Sequence, residues 1–281
     1  MAIKYLAGDR LIGTAAERAA LTTSAYPSPT YSNTFTSTTD FSTTSTSHAN
    51  VNSTVAGALY HDVERASTNK ACQWALPAAL SNTVWTLRFQ STMTDVGTSG
   101  QTNRVFIGMS NLQYSAGSSS SHEFIGVATK ANTSQKIWYP LSTKANNLDV
   151  GDNDSATYAL SETTIYVEIR RKSATSFYVS WTTNSDYTTG ATTNIGVVGE
   201  DGGSGTVEDL QYFLVSNVEV AFSGGLTATK GNIPLVEIWN GVDGVNLVYT
   251  YPSLPNGAIF EESDTGKIYM FDGTDTWNEV T

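Results

Sequence analysis

The chain holds one cysteine, Cys72, in 281 residues. No disulfide can form within it, and a disulfide-stapled scaffold is excluded. Charge is scarce: Asp, Glu, Lys and Arg make up 15% of the residues, against about 25% in ordinary soluble domains. Basic residues number 15 against 26 acidic ones, a formal charge of −11 at pH 7. A surface of that sign does not track phosphate backbones or anionic lipid, which argues against nucleic acid as a partner. No apolar run approaches the ~18 residues of a membrane span, so no membrane insertion is expected. The opening Met1-Ala2-Ile3-Lys4-Tyr5-Leu6-Ala7-Gly8-Asp9-Arg10 lacks the continuous apolar stretch of a secretory signal. What fills the gap is Ser, Thr and Asn with 23 glycines, 14 tyrosines and 6 tryptophans. That composition disfavours a helical bundle and favours strands. Cys72 itself, within Ala71-Cys72-Gln73-Trp74-Ala75-Leu76, reads as a small buried thiol.

Texture divides the chain. Residues 1–25 form a short N-terminal docking segment, in which Thr14 can cap a helix and Glu17 stands three residues on, before alanines. Such a helix has about two turns and must dock on something. Residues 26–49 are a Ser/Thr/Pro-rich connector, interrupted by Tyr31, Phe35 and Phe41, so that either a linker or ordered strand fits. Residues 50–245 repeat a period-two pattern between turn signals, the pattern of an antiparallel sandwich. Trp85, Leu87 and Phe89 share a face, as do Ile165, Val167 and Ile169, with Glu168 and Arg170 pointing outward. Phe177, Val179 and Trp181 repeat the pattern after a turn at 171–175, making a hairpin. Residues 252–281 read as a three-strand meander with turns at Ser263-Asp264-Thr265-Gly266 and Asp272-Gly273-Thr274-Asp275. Three short strands have little core of their own and should pack on the sandwich or on a neighbouring chain.

The order of elements over roughly 50–241 resembles a concanavalin-like (laminin G-like) jelly roll. Its segments run from Gly57-Ala58-Leu59-Tyr60 through Trp85-Thr86-Leu87-Arg88-Phe89 and Phe106-Ile107-Gly108-Met109-Ser110 to a closing Leu235-Val236-Glu237-Ile238-Trp239-Asn240-Gly241. The tail, Gly257-Ala258-Ile259-Phe260-Glu261-Glu262-Ser263-Asp264-Thr265-Gly266-Lys267-Ile268-Tyr269-Met270-Phe271-Asp272-Gly273-Thr274, resembles a small module of structural proteins of tailed phages and related viruses. Phe271 stands where that module usually has tryptophan. The expected fold class is therefore all-β: an antiparallel concanavalin-like sandwich with small terminal additions.

Candidate sites are few. An enzyme on this scaffold would set two carboxylates on one strand face for acid/base work. Glu208 and Asp209 are adjacent and point to opposite faces. Glu262 and Asp264, in Glu261-Glu262-Ser263-Asp264, share a parity but sit beside a turn, where Asp264 suits bonding to its own backbone. His48, His61 and His122 show no zinc spacing. Asp149-Val150-Gly151-Asp152-Asn153-Asp154 is the best calcium candidate but lacks an EF-hand's closing glutamate; Glu200-Asp201-Gly202-Gly203 is weaker. Gly199 to Gly205 lacks the lysine and helix of a phosphate loop. Trp138, Tyr139, Tyr187 and Trp239 could stack on sugar rings, with core packing as the default. No catalytic, cofactor or metal residue is assigned.

The resemblance implies a non-enzymatic structural protein of a virus particle, exposed on its outside as capsid decoration, tail or fibre component and serving host attachment. Its partners would be copies of itself and other virion proteins, after assembly in the host cytoplasm. The alternative is a carbohydrate-binding lectin-like module that takes a host surface glycan, or a cellular surface-layer or adhesion protein. Assembly is expected through the termini, where Ile3, Tyr5, Leu6, Leu11 and Ile12, and Phe260, Tyr269, Phe271 and Trp277, have no domain of their own to bury them.

Overall fold

The computed structural model describes residues 4–6, 10–22, 28–44, 49–52, 55–63, 71–96, 105–112, 123–131, 136–143, 157–185, 187, 192–197, 206–217, 229–243, 256–272 and 276–280. They belong to two units: Pro29–Gly244, and the paired terminal segments Met1–Ser28 and Val245–Thr281. The chain begins with a hairpin of β1 (Lys4–Leu6) and β2 (Arg10–Gly13), then helix α1 (Ala15–Thr22). The helix starts as its sequence predicts. The Glu17 carboxylate accepts the Thr14 N–H at 2.8 Å, and the Thr14 hydroxyl accepts the Glu17 N–H at 3.2 Å, a reciprocal capping box.

The stretch read as a connector already contributes strands to the larger unit: β3 (Tyr31–Asn33), β4 (Ser42–Thr43) and β5 (Ala49–Val51). Next come β6 (Leu59–Val63), β7 (Ala71–Ala75), the long β8 (Trp85–Val96), β9 (Val105–Ser110), β10 (Phe124–Ala131) and β11 (Lys136–Thr143). Then follow β12 (Tyr158–Ala159), β13 (Thr164–Ser173), β14 (Ser176–Thr182) and β15 (Thr192–Val197). The unit closes with β16 (Tyr212–Asn217), β17 (Thr229–Ile233) and β18 (Val236–Asn240). One sheet has the order β12-β11-β10-β9-β16-β7-β4; the other runs β15-β14-β13-β8-β17-β6-β5, with β18 beside β8 and β3 beside β18. β8 serves two partners along one edge, β18 at Trp85–Phe89 and β17 from Thr92 to Val96. Every described pairing in this unit is antiparallel. The fold of this unit is an all-β antiparallel sandwich of two sheets.

Alternation decides what lies between the sheets. Leu87, Phe89, Val167, Ile169, Phe177, Val179 and Trp181 come from one sheet. Ile107, Met109, Ile125, Val127, Phe213 and Val215 come from the other. Phe89 and Phe213 meet edge-on at 6.0 Å. Each such side chain stabilises the fold by roughly 1.5–3 kcal/mol when fully buried. The second face of β9, β10 and β11 is apolar too: Phe106, Phe124, Tyr139 and Leu141 form a separate buried cluster with Leu214. That accounts for the nearly continuous apolar runs at 105–109 and 124–128, since strands buried on both faces lose alternation. Cys72 lies in the main core at 1% exposure, and burial pushes its thiol up to about 12. It is held protonated and is no nucleophile.

The tail folds as the expected meander of β19 (Ile259–Glu262), β20 (Ile268–Phe271) and β21 (Trp277–Val280), with Gly266 at φ +70° in its first turn. Within its own unit it has a partner that the sequence did not suggest. β19 pairs in parallel with β2, so both termini share a five-stranded sheet, β1-β2-β19-β20-β21, and the sandwich is inserted between them. Leu11, Ala258, Phe260, Tyr269, Phe271 and Trp277 form one small core. The aromatic residues expected to await a neighbour are therefore buried within their own unit. Neither terminus has enough apolar surface alone; joined, they do. Asp264 is corrected likewise: it turns away from its own backbone and accepts the Ala15 N–H at 2.9 Å, capping α1.

Glu262 is the charged group inside this unit. Arg18 Nε donates to it at 2.7 Å, Thr265 donates its hydroxyl, and the Arg18 guanidinium lies 3.6 Å over the Tyr269 ring. Burial alone would raise the Glu262 pKa, but the Thr265 and Arg18 bonds and the Arg18 charge outweigh it, leaving Glu262 below its ordinary 4.5. Glu17 is lowered as well, chiefly by the Thr14 N–H. A depressed carboxylate contributes stability above its unfolded pKa and loses it as pH falls through its folded one. In the sandwich, burial raises Glu237 against the lowering effect of Arg88, and the sign reverses. Trp277 is the only tryptophan of the terminal unit. In 5-fluorotryptophan-labelled protein, its urea midpoint is expected to fall between about pH 6 and pH 3.5. A Trp277 midpoint unchanged over that range would contradict this account.

Candidate functional site

The passage from β3 to β4 carries the chain from one sheet of the sandwich to the other, since β3 pairs with β18 and β4 with β7. An open groove of about 560 Å³ lies along this crossing, lined by Ser32, Asn33, Thr39, Asp40, Phe41, Ser42, Gln73, Trp74 and Ala75. Its size is that of a small-ligand site. Trp74 and Phe41 are partly buried, their inner edges packed against the main core and the rest open.

Beneath them sits Phe35, fully buried at φ +49°. A bulky residue rarely adopts the left-handed region, and such outliers gather at functional sites. Phe35 is held there from three sides. Its N–H donates to Asn33 Oδ1 at 2.7 Å, and its ring meets Phe41 at 6.5 Å and Trp74 at 6.4 Å, both edge-on. The loop above is tied to itself: Asn33 Nδ2 donates to the Asp40 carbonyl at 3.1 Å, and the Ser37 N–H donates to Asp40 Oδ2 at 2.8 Å. Asp40 is thereby fixed with Oδ2 engaged and Oδ1 outside any hydrogen bond among the described residues. The result is a pre-ordered wall with two aromatic surfaces, a carboxylate oxygen and hydroxyl and amide groups. Among the described residues no lysine, arginine or histidine lines it. The only sequence signal was Tyr31, Phe35 and Phe41 breaking a Ser/Thr run; Trp74 comes in from a strand some thirty residues away.

The sequence-predicted candidates are dispersed. Glu208 and Asp209 are exposed; the Glu208 N–H donates to the Glu123 carboxylate, and Asp209, at φ +55°, donates its N–H to Asn82 Oδ1 at 3.0 Å. Nearby Arg171 is buried, donating to the carbonyls of Val207 at 2.6 Å and Ala174 at 3.1 Å. Burial pushes it down to about 10, against the pull of Glu208 and Glu123. Glu261 pairs with Arg10 at 2.7 Å, while Glu262 and Asp264 secure α1, as described above. His61 is buried over Gly231, where a Cβ would lie 2.8 Å from its Nε2. His48, His122, the Asp149–Asp154 segment, Glu200–Gly203 and Gly199–Gly205 lie outside the described residues. Among the described residues no three His, Cys, Asp or Glu side chains gather as a metal site, and no helix is long and apolar enough to cross a membrane.

None of the four proposed sugar-stacking aromatics lines the groove. Trp138 is in the main core and Tyr139 in the second cluster. Trp239, 3% exposed, and Tyr187 lie over the outward-facing Arg88, their rings 5.5 and 4.9 Å from its Cζ.

No protein-family model matches the chain, and neither does any curated sequence. Among solved structures it is similar to lectin I-B4 from Griffonia simplicifolia in its metal-free form, with a TM-score of 0.47 and 10% identity over 75% of this chain and 99% of that one. It is also similar to lectin II from Ulex europaeus, with a TM-score of 0.44 and 15% identity over 76% of this chain and 100% of the other. A third is a conserved carbohydrate esterase from the Shiga toxin-encoding bacteriophage phi24B, with a TM-score of 0.44 and 8% identity over 75% and 97%.

Proposed function

We propose that this protein is a carbohydrate-binding β-sandwich that holds a sugar in the groove between Trp74 and Asp40. The observation that carries the reading is the combination on one fixed wall: aromatic surface for the apolar face of a sugar ring, and a carboxylate oxygen with spare acceptor capacity for its hydroxyls. Among the described residues Asp40 is the sole carboxylate in the lining, whereas glycoside hydrolysis in most families needs two, about 5–9.5 Å apart. The reading is accordingly one of binding rather than of two-carboxylate glycoside hydrolysis. Trp74→Ala is expected to weaken binding to any sugar identified on a glycan array by about 1–2 kcal/mol, or roughly five- to thirtyfold. Calorimetry beside a melting curve measures both affinity and fold. Full affinity in a folded variant would remove the groove from the account.

A second reading sets this binder on the outside of a virus particle, as capsid decoration, tail or fibre component, assembled in the host cytoplasm among copies of itself. Two observations favour it: the phage-like Gly257–Thr274 module, and an outward sheet face in the terminal unit where Ile268, Met270 and Val280 are 38–46% exposed. Mass spectrometry of purified particles tests it; absence of the chain from them would end it.

A further inference from the structure

We infer that the groove selects uncharged sugars and rejects those bearing a carboxylate or sulfate. This deepens the carbohydrate reading and rests on it. Among the described residues the lining holds one negative group and no positive one. Asp40 is fixed in place by the Ser37 N–H, and its remaining Oδ1 lone pairs can only accept. The ligand must therefore bring donors to that point, and the hydroxyls of a neutral sugar supply them as charge-assisted bonds. A ligand carboxylate would bring acceptor against acceptor and charge against like charge. No cation among the described residues of the wall compensates: the polar groups that remain, on Asn33, Thr39, Ser42 and Gln73, are neutral. The chain's net charge of −11 adds a longer-range repulsion that salt screens.

The signal in the sequence is one of absence. Residues 28 to 44 and 71 to 76 contain no Lys, Arg or His at all, so neither of these two segments could offer an anionic sugar a cationic partner.

The test uses matched pairs that differ only at C6: methyl glucoside with methyl glucuronide, and methyl galactoside with methyl galacturonide, together with neutral mannoside and N-acetylglucosaminide. Affinities are measured by calorimetry on the full chain at low and high salt, for wild type and Asp40→Asn. Asparagine keeps the shape and an acceptor for the Ser37 N–H, so the loop is retained; a melting curve checks this. The expected result is a neutral member binding at least tenfold more tightly than its uronide at low salt, with the gap narrowing at high salt. Asp40→Asn should weaken the neutral sugar several-fold and strengthen its uronide. Equal binding of both members of a pair, or a gap that Asp40→Asn leaves intact, overturns this inference alone. Failure of every sugar in the panel to bind, or binding indifferent to Trp74→Ala, overturns the carbohydrate reading along with it.

Discussion

Glu168→Ala is expected to cost the sandwich about 3–5 kcal/mol, the range for removing one partner of a buried ion pair. Glu168 lies directly opposite Arg88 in the β13–β8 register, and both are about 5% exposed. Arg88 Nε and Nη2 each reach Glu168 Oε2 at 2.7 Å, and Arg170 Nε stands 3.3 Å from Oε1. Taking away the carboxylate leaves two guanidiniums side by side, one of them beneath Tyr187 and Trp239. Glu237, opposite Arg88 on its other flank, offsets part of the loss. The pair is not itself a large net stabiliser, because desolvation cancels much of its attraction. Arg88→Met with Glu168→Leu should accordingly fall within about 1 kcal/mol of wild type. Urea unfolding followed by circular dichroism measures all three. A loss below about 1 kcal/mol for Glu168→Ala would show that the charge is solvated.

Gly108→Ala is expected to cost about 3 kcal/mol or more, at the upper end for overpacking a core. Gly108 and Gly126 face each other across β9 and β10, and Gly108 also faces Leu214 on β16. A Cβ at Gly108 would lie 2.5 Å from the Gly126 Cα and 2.5 Å from the Ile125 carbonyl oxygen. Those are backbone atoms of a central strand pair and cannot step aside without parting the ladder. The space is already taken by the Phe124 ring, whose Cζ is 2.4 Å from a Cβ built at Gly126. Thermal unfolding of Gly108→Ala and Gly126→Ala measures the cost. Wild-type stability in both would mean that the strands are further apart than described.

The sandwich strands were legible because one-sided burial writes itself as alternation. Positions 85, 87 and 89, and 165, 167 and 169, were placed on the core face by parity alone. Parity could not say what covers the other face. Glu168 points outward as read, yet it is buried with its partner Arg88, which Tyr187 and Trp239 cover, the latter brought in from a distant strand. The Thr14–Glu17 capping box was legible because it is local. The parallel pairing of β2 with β19 was not: it joins segments separated by the whole sandwich, and no local pattern encodes a partner at that range. The groove falls between these cases. Its aromatic residues were visible as interruptions of a Ser/Thr run, but the φ of Phe35 and the arrival of Trp74 are tertiary facts.

The central claim is that a neutral sugar sits against Trp74. The chain has six tryptophans, at positions 74, 85, 138, 181, 239 and 277. Four are buried in or on the sandwich, and Trp277 belongs to the terminal unit. Fluorine NMR of 5-fluorotryptophan-labelled protein, titrated with the tightest-binding neutral glycoside, therefore reads the site directly. The account predicts a saturable shift of the Trp74 resonance while the other five stay in place. A saturable shift centred on Trp239 or any other tryptophan, with Trp74 unmoved, would contradict it.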